Sequence, residues 1–192
     1  MKKKVWIPLV VVAGVIVLLI VSVIGKYNSL VDLETRVDEK AAVIETQLQR
    51  RADLIPNFVS TVKGYAAHEE KTYTAVTEAR NALQNADTIG EQADAGAQLD
   101  SAIDIWVNAV TEAYPELKAN SNFIALQDEL AGTENRIATA RNDYNEVVGD
   151  YNSTIRKFPN NLTASLFGFE KAEFFEADEE ADEPPIVDFS AE

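Results

Sequence analysis

The chain lacks cysteine altogether and has one histidine, His68, among its 192 residues. Without cysteine there can be no disulfide, no cysteine nucleophile and no thiolate metal site. Two glutamates follow His68, but a helical zinc-protease motif requires a second histidine four residues on, and none is present. We interpret His68 as a surface or capping residue and expect no metal and no other cofactor.

Recognisable catalytic motifs are also missing. The sequence has no glycine-rich phosphate loop and no GxSxG motif. Acidic residues such as Asp128, Glu134 and Asp143 are spaced like the solvated face of a long helix, with no grouping that suggests a carboxylate metal cage. We expect no catalytic residues and no enzyme activity. The alternative is an accessory subunit of an envelope enzyme, or an enzyme itself, that uses a groove near Arg51.

Basic residues are scarce compared with acidic ones. The chain has 17 basic and 32 acidic residues, a net charge of −15, and three of the basic residues are Lys2, Lys3 and Lys4. The rest of the chain is still more acidic than that total. Such a body repels nucleic acid and anionic lipid surfaces, so we expect no nucleic-acid partner.

A long apolar run is present at the N-terminus. Residues 5–24 contain no formal charge and would span roughly 30 Å as a helix, the thickness of a bilayer core. This predicts a membrane anchor over residues 1–26, with a transmembrane helix over about 5–24. A cleaved signal peptide and a buried core helix are the alternatives. Because Lys2–Lys4 precede the run, the positive-inside rule predicts a cytoplasmic N-terminus and a body outside; a cytoplasmic body is the alternative.

Between Tyr27 and Pro159 the apolar residues recur every three or four positions, which predicts helices throughout. The stripe of the first helix runs on through Pro56, which should kink or split that helix near Asp53. Gly25 should either continue the anchor into this helix or form a hinge. We expect the following inward positions: Leu30, Leu33, Val37, Ala41, Ile44, Leu48, Ile55, Phe58, Val62, Tyr65, Thr72, Val76, Ala79, Leu83, Leu99, Ile103, Trp106, Val110, Tyr114, Phe123, Leu126, Leu130, Ile137, Ala140, Tyr144, Val147, Tyr151, Ile155 and Phe158.

The predicted fold class is therefore all-α. A single transmembrane helix precedes an elongated antiparallel bundle over residues 27–159, with long, coiled-coil-like helices. The segment from Asn85 to Gly96 is typical of a connection, and Thr88 and Glu91 are spaced as a capping box. Asn120 or Ser121 should cap the last helix.

The longer motifs resemble one known family. The stretches YNSLVDLETRVDEKAAVIETQLQRRADLIPNF and AYPELKANSNFIALQDELAGTENRIATARNDYNEVVGDYNSTIRKFPNNLTASLFGF, with the closing EFF, acidic run and VDF, are similar to the LemA family. The resemblance implies a single-pass bacterial membrane protein with a helical-bundle body. It implies no reaction and no catalytic residues. It also implies a short N-terminus outside the cell, which the Lys2–Lys4 cluster argues against.

One charged group interrupts the apolar stripe of the first helix. Arg51 lies on the stripe itself, next to Arg50 and Asp53. We interpret the group as a structural interhelical ion pair, with Glu134 as the expected partner of Arg51. The alternative is a partner or ligand site in a groove at the Pro56 kink.

The C-terminal segment over residues 160–192 differs in composition. It contains aromatic residues with poor helical order and then an acidic run, which predicts a largely disordered tail. An apolar motif at the end of such a tail is typical of a docking peptide. Candidate partner-binding residues are Phe174, Phe175, Ile186, Val187 and Phe189. Packing of the tail on its own bundle, or no role at all, is an equally good interpretation.

Taken together, these features predict a membrane-anchored, non-catalytic interaction or scaffold protein of the bacterial cell envelope. Its expected partners are membrane lipid, contacted through the anchor, and other envelope or membrane proteins. Self-association into a homo-oligomer is also open.

Overall fold

The computed structural model describes residues 3–64 and 70–175 of the chain. Within these ranges the secondary structure is helical and contains no strand, which confirms the all-α class. The elements are α1 (Lys3–Lys63), α2 (Glu70–Gln84), α3 (Ile89–Ala113), a 3₁₀ helix (Pro115–Ala119), α4 (Ser121–Arg156) and α5 (Asn160–Phe167).

Helix α1 is continuous over 61 residues. Gly25 lies inside it, so the anchor runs into the first helix of the body without a hinge. Of the two predicted effects of Pro56, a kink or a split near Asp53, the split does not occur, because α1 continues through Pro56. Proline has no N–H for the carbonyl of Ala52, but the Arg80 Nε of α2 donates to that oxygen at 2.9 Å. A side chain from another helix thus replaces the missing backbone donor.

The predicted capping box is present at the start of α3. The Thr88 side chain accepts from the Glu91 N–H, and the Glu91 carboxylate accepts from the Thr88 N–H in return. Backbone N–H groups of Thr88 and Asp87 hold the pKa of Glu91 below its usual value. Because α3 begins at Ile89, the connection covers only residues 85–88, and residues 89–96 of the predicted connection are helical.

The helices divide the chain into two compact units. Unit 2 contains residues 41–143 and 173–192, as far as they are described. Its interior includes Phe58 of α1, whose ring lies 5.2 Å from Trp106 of α3 and 5.1 Å from Phe123 of α4. All three side chains are at most 2% exposed, so the aromatic contacts hold α1, α3 and α4 together at this level.

Unit 1 contains residues 1–40 and 144–172. Its core is formed by Leu30, Val37, Tyr144, Val148, Tyr151, Ile155, Thr163 and Ala164. Val148 is buried where Val147 was expected, because an α-helix drifts about 20° per heptad away from a strict seven-residue repeat. Phe158 was also expected inside, but α4 ends at Arg156 and the Phe158 side chain is 80% exposed.

Candidate functional site

The first part of α1 fits a membrane span. Among the described residues, this helix alone is long and apolar enough to cross a bilayer, and none of its apolar window is buried against the chain. Trp6 lies at the start of the run and Tyr27 just after its end, roughly 30 Å apart along the helix axis. Tryptophan and tyrosine favour the two interfaces of a bilayer, so these residues mark its expected borders.

Tyr27 also contacts two aromatic side chains at the end of unit 1. Its ring centroid lies 4.8 Å from that of Phe167 and 5.7 Å from that of Phe169. The two phenylalanines reach one tyrosine because the chain reverses at Gly168, which ends α5 with a φ of 79°. Non-glycine residues are strained in this left-handed conformation. The C-terminal end of α5 is thereby fixed one turn beyond the apolar run of α1.

The segment after α5 is tied back to α4. The Asn152 side chain donates to the Ala172 carbonyl at 2.8 Å and accepts from the Ala172 N–H at 2.9 Å. At the preceding residue, burial and the nearby Glu34 carboxylate, which is hydrogen-bonded to the phenol, raise the pKa of Tyr151 to about 12. Tyr151 of α4 therefore lies level with Glu34 of α1. The end of α4 accordingly lies level with Tyr27, since the two helices run in opposite directions.

An apolar surface remains open at this end of unit 1. We call it the α5 surface, and it consists of Phe158, Leu162, Leu166 and Phe167, which are 80%, 61%, 73% and 50% exposed. Leu162 and Leu166 are four residues apart and share a helix face, whereas Thr163 and Ala164 between them are buried. Between Arg156 and Lys171 the chain has three basic residues and one acidic residue. The α5 surface is therefore flanked by basic residues in a strongly acidic protein.

The buried charge of unit 2 lies on Arg51. Its Nη2 pairs with Asp100 Oδ1 of α3 at 2.8 Å, and the Arg51 side chain is only 4% exposed. The interhelical pair is present, but its acidic partner is Asp100 rather than the expected Glu134. Burial raises the pKa of Asp100 to about 6, although the charges of Arg51 and Arg141 act against this. Glu134 is near enough to raise that pKa further.

The other residues predicted around Arg51 lie apart from this buried pair. Arg50 Nη2 contacts Glu129 Oε1 of α4 at 2.7 Å, and Arg136 Nη2 contacts the same oxygen at 2.9 Å. Asp53 Oδ1 accepts a hydrogen bond from Gln49 within α1. These contacts are largely solvated, and each contributes little to stability. Arg51 is enclosed by its own helices, so the structure does not present it to a groove.

The predicted tail residues fall into two groups. Phe175 is 2% exposed, and its ring lies 4.5 Å from the Arg141 guanidinium of α4. Phe174 is 47% exposed. Ile186, Val187 and Phe189 lie outside the described residues. Phe175 is thus an internal contact, whereas Phe174 is accessible.

A small pocket lies beside α1, at the connection between α2 and α3. Its volume is about 60 Å³, and it is lined by Glu45, Leu48, Gln49, Ala52, Leu83, Gln84, Ala86 and Gln92. Pockets that bind substrates or cofactors usually measure about 300–1,000 Å³. This cavity is large enough for a few waters. Over the described ranges no three histidine or acidic side chains are grouped to hold a metal.

Several of these residues were not predicted from the sequence. The Pro56 position implies a free carbonyl at Ala52 but does not reveal that Arg80 supplies its donor. Asp100 and Asn152 lack a distinguishing local pattern, because their roles depend on contacts between distant segments. Tyr27 carried a usable signal, since an aromatic residue just after an apolar run is typical of a membrane interface.

Together the features define a membrane-anchored protein with an all-helical body. The LemA family model matches residues 40–189, and the chain belongs to that family. It is 26% identical to "Magnetosome protein MamQ 2" of Paramagnetospirillum magneticum over 204 residues, which cover 90% of this chain and 72% of the relative. It is 25% identical to "Protein LemA" of Metamycoplasma hominis over 159 residues, which cover 81% and 71%. "Magnetosome protein MamQ" of Magnetospirillum gryphiswaldense is 25% identical over 197 residues, with 90% and 72% covered.

Proposed function

We propose that this protein is a non-catalytic scaffold of the bacterial cell envelope, whose helical body binds other envelope proteins or further copies of itself. The observation that carries the proposal is the unbroken helix α1. Its first part is apolar and unburied, and its later part packs against the aromatic core of unit 2. The same helix therefore serves as the anchor and as part of the body, which suits a protein that holds partners at a membrane.

Two further observations support a binding role over a chemical one. The interior of unit 2, over its described residues, is mostly apolar, and the buried cation Arg51 is held by Asp100. Two of the relatives are named as magnetosome proteins, and their printed names assign no reaction.

The exposed apolar residues of unit 2 are the first places to look for a partner. Ile105 of α3 is 66% exposed and Ile124 of α4 is 42% exposed. A photo-crosslinking amino acid at Ile105 or Ile124, in the full chain in living bacteria, should give discrete adducts with an envelope protein or a second copy. Asn108, an exposed polar position on α3, serves as the matched control. The crosslinker is also placed at Phe174 and at Val187 in further variants. Absence of adducts at all four positions would contradict the scaffold role.

Truncation after Phe175 separates two versions of this scaffold. If an adduct at Ile105 with a different protein is lost on truncation, the tail that bears Ile186, Val187 and Phe189 contributes to docking. If the adduct joins two copies and survives truncation, the body self-assembles without the tail.

We also propose a cytoplasmic N-terminus with the body outside, on the basis of Lys2–Lys4. Because the chain has no cysteine, a single Lys3→Cys or Asn142→Cys substitution gives one labelling site. An impermeant maleimide should label position 142 in intact cells and position 3 only after lysis. The reverse pattern would place the body in the cytoplasm.

A further inference from the structure

We propose that the α5 surface lies in the interface of the same bilayer that α1 spans, so that the protein contacts lipid at two places. The surface is the exposed apolar group Phe158, Leu162, Leu166 and Phe167. Its occupant is lipid, and not a protein partner. This inference rests on the membrane anchor alone and does not depend on the scaffold role.

The first argument is position. Tyr27 follows the last residue of the apolar run, Ile24, by about 4.5 Å along α1, which is headgroup depth for a span that ends there. The Phe167 and Phe169 rings contact Tyr27 at 4.8 Å and 5.7 Å. The C-terminal end of α5 is therefore held at the border of the membrane by direct contact with the spanning helix.

The second argument is the chemistry of the surface. Leu162, Leu166 and Phe158 are each more than half exposed, and within the described part of unit 1 the other side chains that are this exposed and this apolar belong to the spanning segment. Apolar faces of this kind are favourable in the headgroup and acyl boundary of a bilayer. The α5 surface therefore continues the lipid-facing surface of α1.

The third argument is charge. Arg156 and Lys157 precede the α5 surface and Lys171 follows it, all three exposed, whereas Glu170 is the one acidic residue in that stretch. Long basic side chains at a bilayer border extend their charged ends toward phosphate groups. The remainder of the chain is strongly acidic, so this local excess of basic residues favours one end of the molecule for contact with lipid.

A depth measurement on the full chain tests the proposal. Leu166→Cys places one thiol on the α5 surface. The variant protein is labelled there with an environment-sensitive fluorophore and is then inserted in phosphatidylcholine vesicles. We expect a blue-shifted emission that is quenched by lipid carrying a doxyl group near the headgroup and is protected from aqueous iodide. Glu39→Cys, about 18 Å beyond Tyr27 on α1, should show the opposite behaviour.

Two other results would overturn the proposal. Quenching by iodide but not by doxyl lipid would show that the α5 surface faces water. A blue shift without quenching by either agent would show that protein covers it, as in a contact between two copies.

A second pair of variants tests the apolar face itself. With the fluorophore at position 162, Leu166→Asp should abolish doxyl quenching because it places a charge on the lipid-facing side of α5. Asn161→Asp adds the same charge at an exposed position that lies about 100° around the helix from Leu162 and about 140° from Leu166, and it should leave quenching unchanged. Equal effects of the two substitutions would argue against an oriented helix in the interface. The crosslinking results at Ile105 are independent of this outcome.

Discussion

The two parts of helix α1 place similar apolar residues in different surroundings. Between Pro8 and Ile24 every described side chain is exposed, although the segment is almost wholly apolar. Between Leu30 and Val62 the apolar residues form one stripe, and that stripe is buried. A helix with apolar side chains exposed on every side is stable only where lipid takes the place of water around it. One helix is thus stabilised by lipid along its first part and by protein packing along the rest.

The comparison predicts that core truncation affects folding and leaves membrane binding intact. Phe58 is 1% exposed and contacts Trp106 and Phe123. Phe58→Ala should lower the free energy of unfolding by about 3–5 kcal/mol, through lost burial and a cavity. Urea unfolding in detergent, followed by circular dichroism, measures this loss. Val43→Ala on the same helix, at a 46% exposed position, should change stability by less than about 1 kcal/mol.

Membrane retention sharpens that first prediction. Alkaline extraction of the Phe58→Ala variant should leave it with the membrane, as for the wild type. Release of the variant into solution would mean that anchoring depends on the core of unit 2, and the contrast between the two parts of α1 would fail.

The converse change targets the anchor. Ile16 is 50% exposed in the apolar run, and Ile105 is 66% exposed in unit 2. Ile16→Asp should weaken membrane insertion by about 3 kcal/mol, since a carboxylate near the bilayer centre loses its hydration. Ile105→Asp should have little effect on insertion. The measurement is the fraction of newly synthesised chain that resists alkaline extraction. Similar losses for both variants would contradict a lipid-filled environment around Ile16.

The missing backbone hydrogen bond at Pro56 gives a smaller, coupled effect. In wild type, Arg80→Met should lower the free energy of unfolding by about 1–2 kcal/mol, because the Ala52 carbonyl loses the donor that replaces the missing N–H. In a Pro56→Ala background the backbone N–H returns, so the same change should cost much less. Urea unfolding of the four chains measures the coupling. Additive losses would mean that Arg80 acts through some other contact.

The sequence was sufficient for features that depend on local chemistry. Periodicity predicted the buried stripe from Leu30 to Val62, and spacing predicted the Thr88 and Glu91 cap. The length of the apolar run predicted the membrane span. These properties are encoded within a few turns of one helix, so they can be recognised without knowledge of the tertiary structure.

Pairings between distant segments could not be predicted in the same way. Glu134 was as reasonable a partner for Arg51 as Asp100, because the rotation and offset of neighbouring helices decide which acid is in reach. The poor helical order expected after Pro159 was also misleading for Asn160–Phe167. There, α5 is held by Tyr27, a residue more than 130 positions earlier in the chain. Tertiary contact outweighs local propensity at such sites.

The buried pair gives the smallest and most specific effect, a pH dependence. The folded pKa of Asp100 is about 6, above its ordinary value of 3.8, so the folded protein holds this proton more tightly than the unfolded chain does. The stability contributed by this group therefore falls as the pH rises between these values. It should decrease by about 1 kcal/mol from pH 5 to pH 7. Asp100→Asn should remove this component, whereas Asp94→Asn at an exposed position of α3 should retain it, because the Asp94 charge is not among those that shift the Asp100 pKa.

Unfolding in urea at the two pH values measures the difference between the three chains, and the general effect of the acidic surface cancels because all of them share it. The local contribution of Asp100 remains. Parallel behaviour of the wild type and the Asp100→Asn variant would mean that Arg51 keeps this carboxylate ionised across the range. The attraction between the two charges would then outweigh the free-energy cost of burying the Asp100 carboxylate. The pair would stabilise the folded protein at neutral pH instead of destabilising it.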